Sequence, residues 1–228
     1  MDWTQRTEMI LGAQSMAALK SARVAVFGLG GVGSYTAEAL VRAGVGHISL
    51  LDGDVYEQSN LNRQLYATTD TLGRPKAEAA RERALAINPE CDAKALSLFY
   101  SQENADSVDL SAFDYVADCI DTVKSKLLII ERSVQAGVPV ISCMGTGNKL
   151  HPEMLKIGDI SETSVCPLAR VMRRETRRMG IEHLKVLYST ETPLVPAGGG
   201  RTPGSVSFVP SCAGLMIAGQ IVRDIIGR

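Results

Sequence analysis

A glycine-rich turn between two apolar segments constrains the fold of this chain more than any other feature. Gly28, Gly30 and Gly33 form a G-x-G-x-x-G motif that follows the apolar residues 22–28 and opens a helical stretch over residues 32–42. A second apolar run comes next and ends in Asp52. This order predicts a β-α-β unit whose backbone turns tightly enough for a phosphate to approach the start of the helix.

The same alternation of strands and helices continues along most of the chain. Further strands are predicted at residues 93–98, in DYVADCID, in GVPVISCM, at residues 154–158 and at residues 185–189. Helices are predicted from Pro75, over residues 124–136, in an arginine-rich stretch near residue 170 and after Pro210. This pattern predicts an α/β fold, a Rossmann-like doubly wound, mostly parallel sheet with helices on both faces. We expect a single domain over residues 1–228, with 146–228 as its C-terminal part.

Polar residues that follow the predicted strands indicate which nucleotide is bound. Asp52 is placed to accept hydrogen bonds from ribose hydroxyls, which both NAD and ATP carry, and Asp54 follows in the same turn. The next polar side chains offer amide, guanidinium and ammonium donors suited to a triphosphate. They are Asn60, Arg63, Gln64 and Lys76. Asp121 follows the fourth strand, where a carboxylate can hold Mg²⁺, so the residues favour ATP with Mg²⁺.

Composition and cysteine spacing argue against several classes of protein. A net charge of −1 gives no overall basic field for nucleic acid. The five cysteines include no C-x-x-C pair, so we expect a reducing compartment and no structural zinc. Acidic residues interrupt the apolar pattern near the N-terminus, and charged residues interrupt the last apolar run, so we expect neither a signal peptide nor a membrane span. We therefore expect a cytoplasmic protein with no membrane partner.

Together these motifs resemble the E1-like, or ThiF/MoeB/HesA, superfamily of ATP-dependent adenylating enzymes. The resemblance rests on GLGGVG, LLDGD, SNLNRQ at residues 59–64, GRPK at 73–76 and CIDT at 119–122, and covers at least residues 7–145. It implies an E1-like adenylation domain in which the glycines line the nucleotide and Asp52 binds ribose. It also implies that Asn60, Arg63 and Lys76 bind phosphates and that Asp121 holds the metal.

The resemblance further implies which side chains take part in catalysis. Arg63, Lys76 and Asp121 would offset the charge that develops on the phosphates in the transition state. Arg6 resembles the N-terminal arginine that, in homodimeric members of the superfamily, reaches a nucleotide across the subunit interface. A homodimer is therefore expected.

The second half of the chain resembles one branch of that superfamily, the tRNA threonylcarbamoyladenosine dehydratases. The matching stretches are residues 145–163, 167–181 and 188–193. The resemblance implies that ATP activates the threonyl carboxylate of the modified adenosine 37 (t6A37) in ANN-decoding tRNAs. The carbamoyl nitrogen would then close a ring to give the cyclic nucleoside (ct6A37), and this chemistry needs no cysteine nucleophile.

An arginine-rich helix supplies a surface for tRNA. Its arginines recur at helical spacing, with apolar residues on the other side, and Glu175 is their one acidic neighbour on the helix. They are Arg170, Arg173, Arg174, Arg177 and Arg178. Such a row of cations is suited to an RNA backbone, and Lys149 and Arg201 could extend the same surface.

Three other functions are compatible with parts of the pattern. The chain could activate a ubiquitin-like sulfur carrier, with Cys166 or Cys212 relaying sulfur and a cysteine desulfurase or sulfur acceptor as partner. It could be a non-catalytic nucleotide-binding subunit, although the presence of four residues argues against this: Asn60, Arg63, Lys76 and Asp121. It could also be an NAD-dependent dehydrogenase, an alternative that the phosphate-directed residues disfavour.

Overall fold

A computed structural model describes residues 3–196 and 202–228 of the chain. Within these residues one sheet of seven strands is surrounded by seven α-helices. The strands are β1 (Arg23–Phe27), β2 (His47–Leu51), β3 (Asp92–Leu96), β4 (Tyr115–Asp118), β5 (Val140–Cys143), β6 (Leu155–Asp159) and β7 (Lys185–Ser189). The helices are α1 (Gln5–Leu11), α2 (Ala13–Ser21), α3 (Gly33–Ala43), α4 (Lys76–Ile87), α5 (Val123–Gln135), α6 (Pro167–Arg178) and α7 (Phe208–Ile225).

The strand order identifies the sheet as doubly wound. The order is β3-β2-β1-β4-β5-β7-β6, and all neighbouring strands run parallel except the pair β6 and β7. The chain moves outward from β1 to β3 and then returns to place β4 on the other side of β1. The predicted fold class is therefore confirmed, and the point where the order reverses lies between β1 and β4.

Two hydrophobic cores cover the two faces of the sheet. α3, α4 and α7 pack on one face, where Leu40 and Ile217 are fully buried. α5 and α6 pack on the other face, where Ile129 and Met172 are fully buried. Parallel strands covered on both faces are apolar at nearly every position, which explains the continuous apolar runs of the sequence.

Most elements lie where the sequence predicts them, with two instructive differences. β3 ends at Leu96, because the N–H of Leu98 donates to the carbonyl oxygen of Leu96 in a tight turn. α7 begins at Phe208, two residues before Pro210, where the sequence predicts the helix to begin later. Proline fits the first turn of a helix because the N–H groups there have no partner within the helix.

One helix of the described residues, α7, is long and apolar enough to cross a membrane by length and composition. This finding differs from the expectation drawn from its charged residues. Core helices meet the same criterion, and eight residues of α7 are buried in the protein. α7 also makes its most extensive helix contact with α3.

Gly214 allows the close approach of α7 to α3, and this contact can be tested. A Cβ at Gly214 would lie 2.3 Å from the carbonyl oxygen of Val32 and 2.8 Å from Cβ of Tyr35. We predict that Gly214→Ala lowers the free energy of unfolding by about 2 kcal/mol, as overpacking does elsewhere. In Gly219→Ala, the matched control in the same helix, the new Cβ would lie 3.4 Å from the flexible guanidinium of Arg223.

The control should leave stability unchanged or raise it by up to about 1 kcal/mol, because alanine favours helix over glycine. Urea denaturation of both variants measures the difference. Equal stability of the two variants would contradict the close α3–α7 contact.

Candidate active site

A cavity of about 630 Å³ lies at the carboxyl ends of β1, β2, β4 and β5. Doubly wound sheets bind ligands at this edge, where the strand order reverses. The cavity brings together most of the residues predicted to bind nucleotide. They are Gly28, Gly30, Asp52, Asp54, Arg63, Gln64, Lys76 and Asp121.

The glycine-rich loop packs directly on the end of β4. Gly28 has a φ of +83°, and a Cβ there would lie 2.8 Å from the carbonyl oxygen of Cys119. A Cβ at Gly33 would lie 1.7 Å from the carbonyl oxygen of Gly28. The start of α3 is thus pressed against the loop, which brings the positive end of the helix to the cavity. Gly33 packs against Gly28 of this loop and does not itself line the cavity.

Asp52 is partly buried and fixed by the backbone. Its Oδ2 accepts the N–H of Leu29 at 2.7 Å, and its Oδ1 accepts the N–H of Asp54 at 2.8 Å. Burial raises the pKa of Asp52 above its usual value, while the charge of Lys76 and the two N–H donors oppose the rise. Each carboxylate oxygen keeps a second lone pair, so Asp52 can accept further hydrogen bonds from ribose hydroxyls.

Lys76 and Asp54 form an ion pair inside the cavity. The Nζ of Lys76 lies 3.0 Å from Oδ2 of Asp54, and Lys76 is buried while the Asp54 side chain is half-exposed. The N–H of Lys76 also donates to the carbonyl oxygen of Asp54 at 3.0 Å, which fixes the start of α4 against the loop after β2. The ion pair places the Lys76 ammonium group beside a half-exposed carboxylate at the cavity.

Arg63 and Gln64 line the cavity from the segment before α4. A terminal nitrogen of Arg63 donates to the carbonyl oxygen of Ser59 and to Oδ1 of Asn62, both at 2.9 Å. Gln64 is buried, and within the described residues its Oε1 has no hydrogen-bond partner. Both side chains therefore keep hydrogen-bonding capacity for a ligand.

Asn60 and Arg6 are not among the residues that line the cavity. Asn60 is buried and caps a short 3-10 turn, since its Oδ1 accepts the N–H of Glu57 at 3.1 Å. It therefore holds the segment that carries Arg63 in place. Arg6 is exposed on α1. Any contact of Asn60 or Arg6 with a nucleotide stays a prediction.

Asp121 offers an exposed carboxylate at the loop between β4 and α5. It lines the cavity, and the hydroxyl of Thr122 donates to its Oδ1 at 3.4 Å. Mg²⁺ in nucleotide sites is commonly held by one or two carboxylates together with phosphate oxygens. The described residues contain no group of three or more His, Cys, Asp or Glu arranged for a metal. Asp121 thus fits an ion whose other ligands come from phosphate and water.

A buried ion pair beneath Asp121 is absent from the sequence predictions. Lys126 and Asp118 are both fully buried, with Nζ 3.0 Å from Oδ2. The hydroxyl of Ser142 donates to the same oxygen, and Lys126 Nζ donates to the carbonyl oxygen of Ile120 at 3.0 Å. These bonds tie β4, β5 and α5 together and fix the loop that carries Asp121. The signal available in the sequence is a carboxylate within an apolar strand, which requires a buried partner.

The cavity continues beyond the nucleotide residues into the C-terminal part of the chain. It is lined there by residues 143–149 after β5, by residues 166–168 at the start of α6 and by residues 202–205. The part of the chain predicted to face tRNA therefore shares one cavity with the nucleotide residues. This connection cannot be predicted from the sequence, because the three segments are far apart in the chain.

The cavity is lined by three cysteines, Cys119, Cys143 and Cys166. Burial makes the first two poor nucleophiles. Burial raises the pKa of the Cys119 thiol to about 12 and raises that of Cys143 as well. Thiolates are the reactive form, so these two side chains pack as small apolar residues.

α6 presents most of its arginines to solvent. The exposed ones are Arg170, Arg174, Arg177 and Arg178. Glu175 pairs with Arg174 at 2.7 Å and with Arg178 at 3.1 Å. In the described part of the chain no carboxylate lies within salt-bridge distance of Arg170 or Arg177. These two arginines are the cations of α6 most available for phosphates.

Arg173 does not belong to the exposed row, and the prediction that it faces solvent is wrong. Its guanidinium donates to the carbonyl oxygen and the hydroxyl of Thr163, which is buried. The residue follows the buried Met172 and lies at the edge of the packed side of the helix. Arg173 therefore links α6 by hydrogen bonds to Thr163, which lies in the segment before the helix.

The sequence predicts that Lys149 and Arg201 extend the arginine surface of α6. Lys149 is buried, and its Nζ donates to the carbonyl oxygen of Glu191 at 3.0 Å, so it adds no charge to the surface. The glycine-rich sequence around it gave no sign of this burial. Arg201 lies outside the described residues.

The fold and the cavity are those of a nucleotide-binding α/β protein, with a carboxylate and several hydrogen-bond donors at the switch point of the sheet. The model of the ThiF family matches residues 4–228, and the chain belongs to this family. The resemblance to the E1-like superfamily is therefore confirmed.

The chain is 39% identical to a tRNA threonylcarbamoyladenosine dehydratase of Bacillus subtilis, over 97% of this chain and 93% of the relative. It is 32% identical to the Escherichia coli protein of the same name, over 87% of this chain and 78% of the relative. The crystal structure of the E. coli dehydratase TcdA in complex with ATP matches with a TM-score of 0.92 and 29% identity. That match covers 100% of this chain and 96% of the other.

The buried pair under Asp121 yields a stability prediction. Lys126→Met leaves the carboxylate of Asp118 buried without its cation, so we expect the free energy of unfolding to fall by about 3–5 kcal/mol. Lys124→Met, in the same helix and exposed, should change it by less than about 0.5 kcal/mol. Adding Asp118→Asn to Lys126→Met should recover most of the loss, because no unpaired charge remains. A Lys126→Met protein as stable as Lys124→Met in urea would refute this role.

Proposed function

We propose that this protein is an ATP-dependent tRNA threonylcarbamoyladenosine dehydratase, which converts t6A37 of ANN-decoding tRNAs to ct6A37. The observation that carries the proposal is the 39% identity to the B. subtilis dehydratase over 97% of this chain. The complex of the E. coli dehydratase with ATP supports ATP as the nucleotide.

The residues of the cavity suit the binding of ATP. The glycine-rich loop and the start of α3 would receive phosphates, and Asp52 would accept the ribose hydroxyls. Arg63 and Lys76 would offset the negative charge that increases on the phosphates during the reaction. Mg²⁺, held by Asp121 and phosphate oxygens, would supply further positive charge when bound.

ATP is needed because a carboxylate is a poor electrophile until one of its oxygens becomes part of a good leaving group. A threonyl carboxylate oxygen would attack a phosphorus atom of ATP, displace pyrophosphate or ADP, and form a mixed anhydride. The carbamoyl nitrogen would then attack the carbonyl carbon and lose its proton, and the oxygen bound to phosphorus would leave as part of AMP or phosphate. The nucleoside loses one water in total, and no cysteine takes part.

The alternatives explain fewer features of the site. Sulfur-carrier activation with a relay through Cys166 would use a thiol that is buried in this chain. A non-catalytic subunit would not need Lys76, Arg63 and Asp121 to meet at one cavity. A dehydrogenase is disfavoured because the chain belongs to the ThiF family.

We further propose that Arg170, Arg174, Arg177 and Arg178 bind the tRNA backbone. Their exposure on one helix, beside a segment that enters the cavity, supports this assignment. A homodimer completed by Arg6, a cysteine desulfurase or sulfur-acceptor partner and a cytoplasmic location stay predictions.

Asp121→Ala tests the proposed reaction. The variant should form the cyclic nucleoside at least about 100-fold more slowly, because it loses a group that stabilises charge on the phosphates. The assay combines protein, ATP, Mg²⁺ and t6A-containing tRNA, followed by mild digestion and mass spectrometry of the nucleosides. Asp70→Ala removes an exposed carboxylate elsewhere and should retain activity. No loss of water from the nucleoside with the unaltered protein would refute the proposed function.

Charge removal on α6 tests the tRNA surface. Replacing Arg170 and Arg177 by alanine should weaken tRNA binding and leave ATP affinity unchanged. The slope of log K against log salt concentration should become less negative by about 1.4 to 1.8, the value for two lost phosphate contacts. Lys20→Ala with Lys94→Ala removes two exposed cations elsewhere and is the matched control. The same slope in both double variants would exclude α6 from the tRNA interface.

A further inference from the structure

Residues 202–205 form a wall of the cavity that connects its two halves. All four residues line the cavity, together with Arg63 of the nucleotide half and the 143–149 loop of the other half. A Cβ at Gly147 would lie 2.9 Å from Cβ of Pro203, so the wall rests directly on the loop after β5. A segment in this position can hold substrate and exclude water only if its backbone is fixed.

Asn148 fixes the wall on the side away from the nucleotide residues. Its N–H donates to the carbonyl oxygen of Gly204 at 2.8 Å, and its side-chain Oδ1 accepts the N–H of Gly204 at 2.6 Å. Its own carbonyl oxygen accepts the N–H of Leu194 at 2.8 Å. One residue therefore binds two separate segments of the C-terminal part.

The backbone of Asn148 has an unusual conformation. Its φ is +58°, and among the described residues it is the one residue other than glycine with a positive φ. Asparagine tolerates this left-handed region better than most residues, yet the conformation is strained. Such strain persists where the surrounding contacts require it, and it concentrates at functional sites. Here it allows the N–H and the side chain of Asn148 to meet Gly204 together.

A second asparagine fixes the wall on the nucleotide side. Nδ2 of Asn62 donates to the carbonyl oxygen of Ser205 at 3.0 Å, and its Oδ1 accepts from Arg63 at 2.9 Å. The wall is thus joined to a predicted phosphate-binding arginine through one side chain. Its two anchors lie at the two halves of the cavity.

We propose that Asn148 is a positioning residue that holds residues 202–205 in place, so that the activated carboxyl group is shielded from water until the ring closes. This inference rests on the proposed dehydratase function. If residues 202–205 were mobile, water could reach the mixed anhydride. It would attack the carbonyl carbon and break the bond from that carbon to the phosphate-bound oxygen. That reaction restores the threonyl carboxylate and releases the nucleotide products, so ATP is consumed without cyclisation.

The number of ATP molecules consumed per cyclic nucleoside measures this shielding. Asn148→Gly keeps the positive φ without strain and loses the side-chain acceptor. We expect the ratio to rise about fivefold, the factor that corresponds to the loss of one hydrogen bond of about 1 kcal/mol. ATP affinity should not change, because the hydrogen bonds of Asn148 are to Gly204 and Leu194 and not to the predicted phosphate-binding side chains.

Two further variants separate this role from a general effect on the fold. Asn148→Asp keeps an acceptor for Gly204 and tolerates the same φ, so its ratio should stay near that of the unaltered protein. Asn88→Gly removes a turn asparagine whose Oδ1 accepts the N–H of Glu90, at the other end of the sheet, and should not change the ratio.

An unchanged ratio in Asn148→Gly, or an equal rise in Asn148→Asp, would overturn the inference. Failure of the unaltered protein to form the cyclic nucleoside would instead overturn the proposed function.

Discussion

The close packing of Gly33 against the carbonyl oxygen of Gly28 determines where α3 begins and shapes the edge of the sheet at which the cavity lies. A side chain at position 33 would overlap that oxygen, so only glycine lets α3 begin directly beneath the loop after β1. The same close packing brings Gly28 against the end of β4. The start of the helix therefore faces the point where the strand order reverses, and a phosphate there meets unpaired N–H groups.

Two lysines show how the chain uses buried charge in different ways. Lys126 is sealed in the core with Asp118, where neither partner can reach a ligand, and the pair serves to fix the loop of Asp121. Lys76 is also buried, but its partner Asp54 is half-exposed at the cavity. The cavity therefore contains positive charge although the whole chain carries a net charge of −1. The local placement of these cations, and not the net charge, makes the cavity suitable for phosphates.

The fold and the nucleotide half of the site follow from the sequence because their signals are local. The glycines, Asp52 and Lys76 stand next to predicted strand ends, and parallel strands bring such residues to one edge. Positions that depend on tertiary contacts were not predictable in this way. Arg173 and Lys149 are polar residues in polar segments, and only the packed structure shows that each binds a distant carbonyl oxygen.

The second half of the cavity could not be predicted from the sequence, again because it depends on tertiary contacts. Residues 143–149, 166–168 and 202–205 carry no shared motif, and their meeting depends on how α6 and the last strands pack. Asn148 is the clearest case, because a left-handed asparagine cannot be told from an ordinary loop residue by composition. Its hydrogen bonds to Gly204 and Leu194 become visible only in three dimensions.

In the proposed reaction, ATP activates the threonyl carboxylate. The most direct test uses tRNA whose t6A carries ¹⁸O in both carboxylate oxygens, with ATP and the purified protein, and mass spectrometry of the products. We expect the cyclic nucleoside to keep one ¹⁸O and the other to appear in a phosphate group of the nucleotide product or in released phosphate. Retention of both ¹⁸O atoms in the cyclic nucleoside, or their loss to water alone, would contradict it.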